Sequence, residues 1–403
     1  GAVRVRGEGD GGGAITAAFP VESRPEHYPF DNAASAIVTS VHAEQYLRAG
    51  ARLATEHAPG LLARFGCGAQ SADDPCVREA VRALGRLAFR RPLESAEEER
   101  LLGLVAAQPQ LATGVSVFLR VVLSSPQFLY RWEIGEDQGD GSAKLTDYEL
   151  ASALSYTFVG STPSETLLDL AESGALATPA GLEAAARDLL SDPRARDVMG
   201  VFAEQWLAIE GLEQAQKNMA LYPEYDAVLA ASMKRETAEL FVSVALGEAP
   251  FGELFLRKTT TADGALAELI GASNGALPPE RQAGLLAHAS VLSAQAHSDQ
   301  SSPVRRGVFV RTRLLCQTPP APPANAGGVP EVDPDATTRE RFSQHANDPS
   351  CNGCHQHIDP IGFGFEGFDA IGRMRTEDAG KPIDVSGAVT RLESSDAPVV
   401  SFN

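Results

Sequence analysis

The chemistry in this chain is concentrated in Cys351, Cys354 and His355, within the run Asp348-Pro349-Ser350-Cys351-Asn352-Gly353-Cys354-His355-Gln356-His357. Cys-x-x-Cys-His is the spacing of a c-type haem attachment site. Two thiols three positions apart can each add across one haem vinyl group, and the adjacent imidazole can bind the iron from one side. The residues expected to hold covalent haem c are therefore Cys351, Cys354 and His355, with His355 as the proximal ligand. Two other chemistries fit the same residues. One is a Cys351–Cys354 disulfide. The other is a zinc site completed by His345, His355 or His357 and by Cys316.

If haem is attached, the second axial position decides the function. A Met or His there gives an electron carrier, and an open site permits peroxide or oxygen chemistry. The candidates are His345, His297, Met374 and His357, with His345 and His297 ranked above Met374. His345 precedes the motif and could cross over on a short turn. His297 lies in Ala296-His297-Ser298-Asp299, far upstream. Met374 could wrap to the far haem face, but it also reads as a core residue filling an apolar slot. His357, two residues from His355, would struggle to reach that face. Arg305, Arg306 and Arg373 could pair with haem propionates or sit on the surface. Asp359, Glu366 and Asp369 could bind Ca²⁺, but their spacing fits turn capping better.

These residues need a scaffold, and the composition describes one. With 43% hydrophobic and 22% charged residues among 403, the chain reads as globular, with a length suited to two or three domains. A net charge of −19 argues against nucleic acid and anionic membrane surfaces, and suits a basic redox partner. No apolar run approaches the roughly 20 residues of a membrane span. The start at Gly1, without Met or a signal peptide, looks like a processed or partial N-terminus. Cys67 and Cys76 bracket a short polar loop and are expected to pair, which points to an oxidising compartment, periplasmic or extracellular. Gly-x-Ser-x-Gly, phosphate-loop and dinucleotide signatures do not occur in the sequence.

Apolar spacing predicts a mainly α fold. Helices are expected over 78–89, from Ser95, over 111–123, 147–158, 164–172, 180–190 and 193–209, and from Pro223 to about 246. Two more are expected over 280–292 and 304–316, and a short one over 338–345. A short hairpin strand is expected over 254–261 and a hairpin near 381–387. The expected organisation is an extended lead-in (1–37), a helical domain (38–316, with an internal boundary near 135–145), a Pro-rich linker (317–337) and a haem-binding module (338–403). The linker opens on Thr318-Pro319-Pro320-Ala321-Pro322-Pro323, which no helix or central strand can include. The haem module is expected to borrow a surface from helices near 285–315, with the porphyrin against Ile361, Phe363 or Phe368.

Several stretches resemble one family: Ala88-Phe89-Arg90-Arg91-Pro92-Leu93, Ser125-Pro126-Gln127-Phe128-Leu129-Tyr130-Arg131, Leu145-Thr146-Asp147-Tyr148-Glu149-Leu150-Ala151 and Ser301-Ser302-Pro303-Val304-Arg305-Arg306-Gly307. The run from Cys351 to Arg375, with Asp359-Pro360-Ile361-Gly362-Phe363 and Phe368-Asp369-Ala370-Ile371-Gly372, completes the set. The resemblance is to large secreted proteins of planctomycetes and myxobacteria, built of successive domains of unknown function and often fused to cytochrome c domains. The chain departs from the family at Met374, where an aromatic residue is common, and near Val159, where a Trp is common. The resemblance implies export and a redox setting without fixing a reaction. The leading expectation is an exported monohaem c-type cytochrome acting in electron transfer, alone or in a larger redox assembly. The alternatives are a haem peroxidase or oxygenase, and a non-catalytic surface module whose cysteines are structural or bind zinc.

Overall fold

The computed structural model describes residues 30, 38–247, 249–319, 330–346, 349–390 and 400–402, with the backbone alone at 344–346, 349–350 and 400–402. The expected lead-in apart from Phe30, the linker residues Pro320, Pro322 and Pro323, and the side chain of His345 lie outside the described residues. The protein is mainly α, at 57% helix and 5% strand. It divides into two compact units, Gly1–Val198 and Met199–Asn403. The sequence reading placed its breaks elsewhere, near 135–145 and at 317–337. The division at 198 falls inside one helix, α8 below, where composition gives no signal.

The first unit opens on α1 (Ser40–His57), which starts at a Thr39–His42 capping box. Next comes α2 (Pro75–Phe89), with Pro at its first position and the Asp74 side chain accepting from the Cys76 amide. Cys76 is bonded to Cys67 with a Cα–Cα separation of 5.3 Å, so the expected disulfide is present. Helix α3 (Ser95–Ala106) starts one residue after its Glu94 cap, and α4 (Leu111–Leu123) keeps the predicted bounds. Val77, Val81, Val105, Phe118, Leu119 and Val122 close the core between them. A second cluster forms where α5 (Asp147–Phe158), α6 (Glu165–Glu172) and α7 (Pro179–Ser191) meet through Ala151, Leu167, Leu176 and Leu189. Thr146 and Ser164 cap α5 and α6, accepting from the Glu149 and Leu167 amides.

Helix α8 (Arg194–Trp206) contains the point of division. In the second unit, α9 runs from Ala227 to Ala245, not from Pro223, because Asp226 caps it by accepting from the Leu229 amide. The strand expected over 254–261 is a helical turn at Glu253–Leu256, followed by a single bridge from Thr259 to Ala276. The helix expected over 280–292 is broken into two 3₁₀ turns and a short α10 (Ala289–Ala294). Gly284 causes the break, since it sits at φ 52° with the Leu254 carbonyl where a Cβ would be. Helix α11 (Pro303–Phe309) runs on into a π-helical turn, Val310–Leu314. Two helices end the run, α12 (Thr338–Ala346) and α13 (Pro349–Phe363). Short antiparallel pairs follow, with the tight turn at Ala379-Gly380 rather than over 381–387.

A Cys-Cys-His helix held by buried arginines

Cys351, Cys354 and His355 all lie on α13, a helix that spacing alone did not reveal because it contains Gly353, Pro360 and Gly362. Positions three and four apart on a helix share a face, so the two thiols and the imidazole form one stripe. The same stripe continues through Ile358 to Gly362. There α13 meets α11 closely, in antiparallel sense. A Cβ on Gly362 would stand 1.8 Å from the Pro303 carbonyl oxygen, and one on Gly307 would stand 2.2 Å from that of Ile358. Two glycines thus let the backbones touch. This contact fixes the C-terminal half of α13 and leaves its N-terminal half, with Cys351, Cys354 and His355, half-buried.

His355 Nδ1 is 2.9 and 3.0 Å from the two carboxylate oxygens of Asp359, one helical turn on. Asp359 is 2% exposed, so the carboxylate is held in a dry setting. This hydrogen bond raises the imidazole pKa against the opposing effect of burial. A ligating His normally gives its second ring nitrogen to a carboxylate or carbonyl, which fixes tautomer and ring orientation. Asp359 fills that role for His355, and a metal would then be taken by Nε2. The donor set therefore fits haem c: two half-buried thiols, one imidazole and an orienting carboxylate on one helix. Among the described residues, no group of three or more His, Cys, Asp or Glu side chains stands in metal-binding geometry. Cys316 is exposed.

The other candidates occupy different settings. Met374 packs with Phe365 and Phe368 against Ala287 and Leu292, the core position that its alternative reading described. His297 belongs to a loop pinned on several sides. Its carbonyl and that of Ser293 accept from Lys217 Nζ, both at 2.9 Å, and its amide donates to the Gln300 carbonyl. Burial, then the charge of Arg305, lowers its pKa. His357 Nδ1 is 2.7 Å from Thr390 Oγ1, and burial followed by Arg311 lowers its pKa. Ile361 and Phe368 are covered by protein, and Phe363 lies under the Arg339 guanidinium, 4.3 Å from its ring centre. The expected porphyrin contact with these side chains is therefore corrected.

The residues that sequence reasoning undervalued are the arginines. Arg306, expected at a propionate or the surface, is 2% exposed and donates to the carbonyls of Phe365, Phe368 and Asp369 at 2.7–2.9 Å. Burial lowers its pKa to about 10. Arg281 donates to the Ala287 and Gly372 carbonyls and lies over the Phe368 ring. Arg305 donates to the Ala296 carbonyl, and Arg373 pairs with Asp369 and Glu224. Glu366, its pKa raised by burial, accepts from Ser301 and Arg375. Asp369 accepts from the Ile371 and Arg373 amides. Glu366 and Asp369 therefore hold the turn after α13, as turn capping predicts. A five-donor guanidinium can satisfy several carbonyls of an irregular segment at once, which explains why these cations are inside. The only advance signal was the recurrence of Arg beside Gly and Pro in the family-like stretches.

Three family models match the chain: a protein of unknown function (DUF1595) over residues 76–133, another (DUF1592) over 145–271, and a third (DUF1588) over 282–378. The three matches follow one another along the chain, which supports a multi-domain architecture built of domains of unknown function. The three domains form a set associated with cytochrome-c-related proteins. The third match runs from Gln282 to the turn after α13, and so includes Arg305, Arg306 and Arg373 together with Cys351, Cys354 and His355, while Arg281 lies just before it. No curated protein and no solved structure matches the chain significantly.

Proposed function

We propose that the protein is an exported c-type cytochrome-like electron-transfer protein that carries one covalent haem on α13. The observation that carries this reading is the His355–Asp359 contact beside two thiols on one helix face. Cys351 and Cys354 would form thioethers to the haem vinyls, and His355 Nε2 would take one axial position. When bound, the haem supplies one-electron redox chemistry. The chain's own residues orient and shield. Asp359 fixes the His355 tautomer, and α11 fixes the pitch of α13. A second protein ligand to the iron would come from His345 or His297 in preference to Met374, which packs in an apolar cluster.

The Cys67–Cys76 disulfide supports a periplasmic or extracellular location, since such bonds persist in oxidising compartments. Among the described residues, no helix is long and apolar enough to cross a membrane. The net charge of −19 suits a basic redox partner, whose association would weaken with salt. The test is production in a periplasm equipped for c-type maturation, followed by denaturation in alkaline pyridine. A covalent haem band, and a mass one haem above that of the Cys351→Ala/Cys354→Ala variant, are expected. Equal masses and no band would end the redox reading and favour a surface module with structural cysteines. Rapid carbon monoxide binding by the reduced protein would move the reading to a peroxidase or oxygenase with an open distal side.

A further inference from the structure

Arg311 sits in the π-helical turn that continues α11, and it is fully buried. Nothing in the spacing of the haem motif points to it. Its Nε donates to the His357 carbonyl at 2.6 Å, Nη1 to Gln317 Oε1 at 2.5 Å, and Nη2 to the Thr390 carbonyl and hydroxyl at 2.8 and 3.1 Å. The Thr390 hydroxyl in turn meets His357 Nδ1 at 2.7 Å. One guanidinium thus joins three separate segments around the residue two positions after His355. The close glycine contact secures α13 at Ile358 and Gly362, further along the helix. The Arg311–Thr390–His357 set adds a side-chain hold just before that contact, two residues after His355. A π turn is where it can occur. The extra residue rotates the helix face and turns a side chain inward that an α-helix would direct elsewhere.

We infer that Arg311 and Thr390 are positioning residues for His355, locking the turn of α13 that carries it so that the imidazole meets the iron at a fixed angle. This inference rests on the haem reading above. Neither residue touches the haem ligands. Both act through the His357 backbone and ring. The Arg306 clamp is the natural comparison, being an equally buried guanidinium on carbonyls, but of the segment after α13.

The test uses the full chain carrying its haem, with Thr390→Val, Arg311→Lys and Arg306→Lys compared with wild type. The readouts are covalent haem by mass, the electron paramagnetic resonance g-values of the oxidised iron, the midpoint potential, and amide hydrogen exchange across α13. Thr390→Val is expected to keep the haem, to shift g-values and potential, and to speed exchange at residues 354–358 about tenfold, as the loss of the hydroxyl's bonds to His357 and Arg311 implies. Arg311→Lys should do the same more strongly. Arg306→Lys should lower the unfolding temperature while leaving the iron signature as in wild type. An unchanged signature in Thr390→Val, or an equal change in Arg306→Lys, overturns the assignment. Should Arg311→Lys fail to fold, Thr390→Val still decides. A wild type without covalent haem overturns the cytochrome reading itself, and this inference with it.

Discussion

Asp359 is the residue on which the site's electronic character turns. Its carboxylate is buried against His355 Nδ1, and a charged acceptor there makes the imidazole a stronger donor to a metal. On the proposed haem reading, Asp359→Asn would retain covalent haem and raise the midpoint potential, because a neutral acceptor leaves the ligand less electron-rich. A redox titration that finds the potential unchanged or lowered would remove Asp359 from this role. Lys217 offers a separate residue-scale test. It is 8% exposed, and burial, then the charges of Arg306 and Arg305, lowers its pKa to about 8 from 10.5. Below pH 8 the ammonium is charged in both the folded and unfolded states, so its burial cost is constant. Between pH 8 and 10.5 the unfolded chain holds more protons, and stability rises with pH through this group by up to about 3 kcal/mol. The stability of wild type relative to Lys217→Met should therefore increase from pH 8 to pH 10. A flat or falling difference in denaturant unfolding would contradict the assignment.

At the scale of elements, the pairing of α11 with α13 depends on two missing side chains. Gly307→Ala would press a methyl group into the Ile358 carbonyl, and backbone cannot give way as the tip of a side chain can. A loss of about 1–3 kcal/mol is expected, the usual cost of overpacking. Gly353, on the same helix, has nothing within 4 Å of where its Cβ would be. Gly353→Ala should therefore stabilise α13 by about 0.5–1 kcal/mol, since a helix interior disfavours glycine. Equal effects of the two substitutions on the unfolding midpoint would show that the close crossing is not what holds the helix. The glycines also explain why α13 escaped the sequence. Gly353, Pro360 and Gly362 read as turn residues. Only the presence of α11 alongside shows that Gly362 serves contact rather than bending.

For the whole molecule, the Cys67–Cys76 bond belongs to the first compact unit and the Cys-Cys-His helix to the second. Replacing both cysteines by Ser should cost the first unit about 2–3 kcal/mol, the chain-entropy value for so short a loop. Because that cost falls on contacts internal to residues 1–198, segment-resolved hydrogen exchange should show it at α2 and α4 and not at α11 or α13. Comparable loss of protection in the second unit would show that the two unfold as one.

The sequence by itself determined the mainly α class, the bounds of α4, the start of α5 after Thr146, the disulfide and the residues that could carry haem. Each of these depends on local spacing, local capping or covalent chemistry, which neighbours along the chain express. Tertiary structure alone decided the rest. Arg306, Arg311 and Arg281 look like surface cations in one dimension, because nothing local signals that backbone carbonyls from distant segments will surround them. The helix expected over 280–292 broke because the Leu254 carbonyl occupies the space beside Gly284. The break expected at the proline run did not set the compact units, since α13 packs on α11 across it. Long-range contacts between irregular backbone and buried side chains fixed these outcomes, and such contacts leave no period in the sequence.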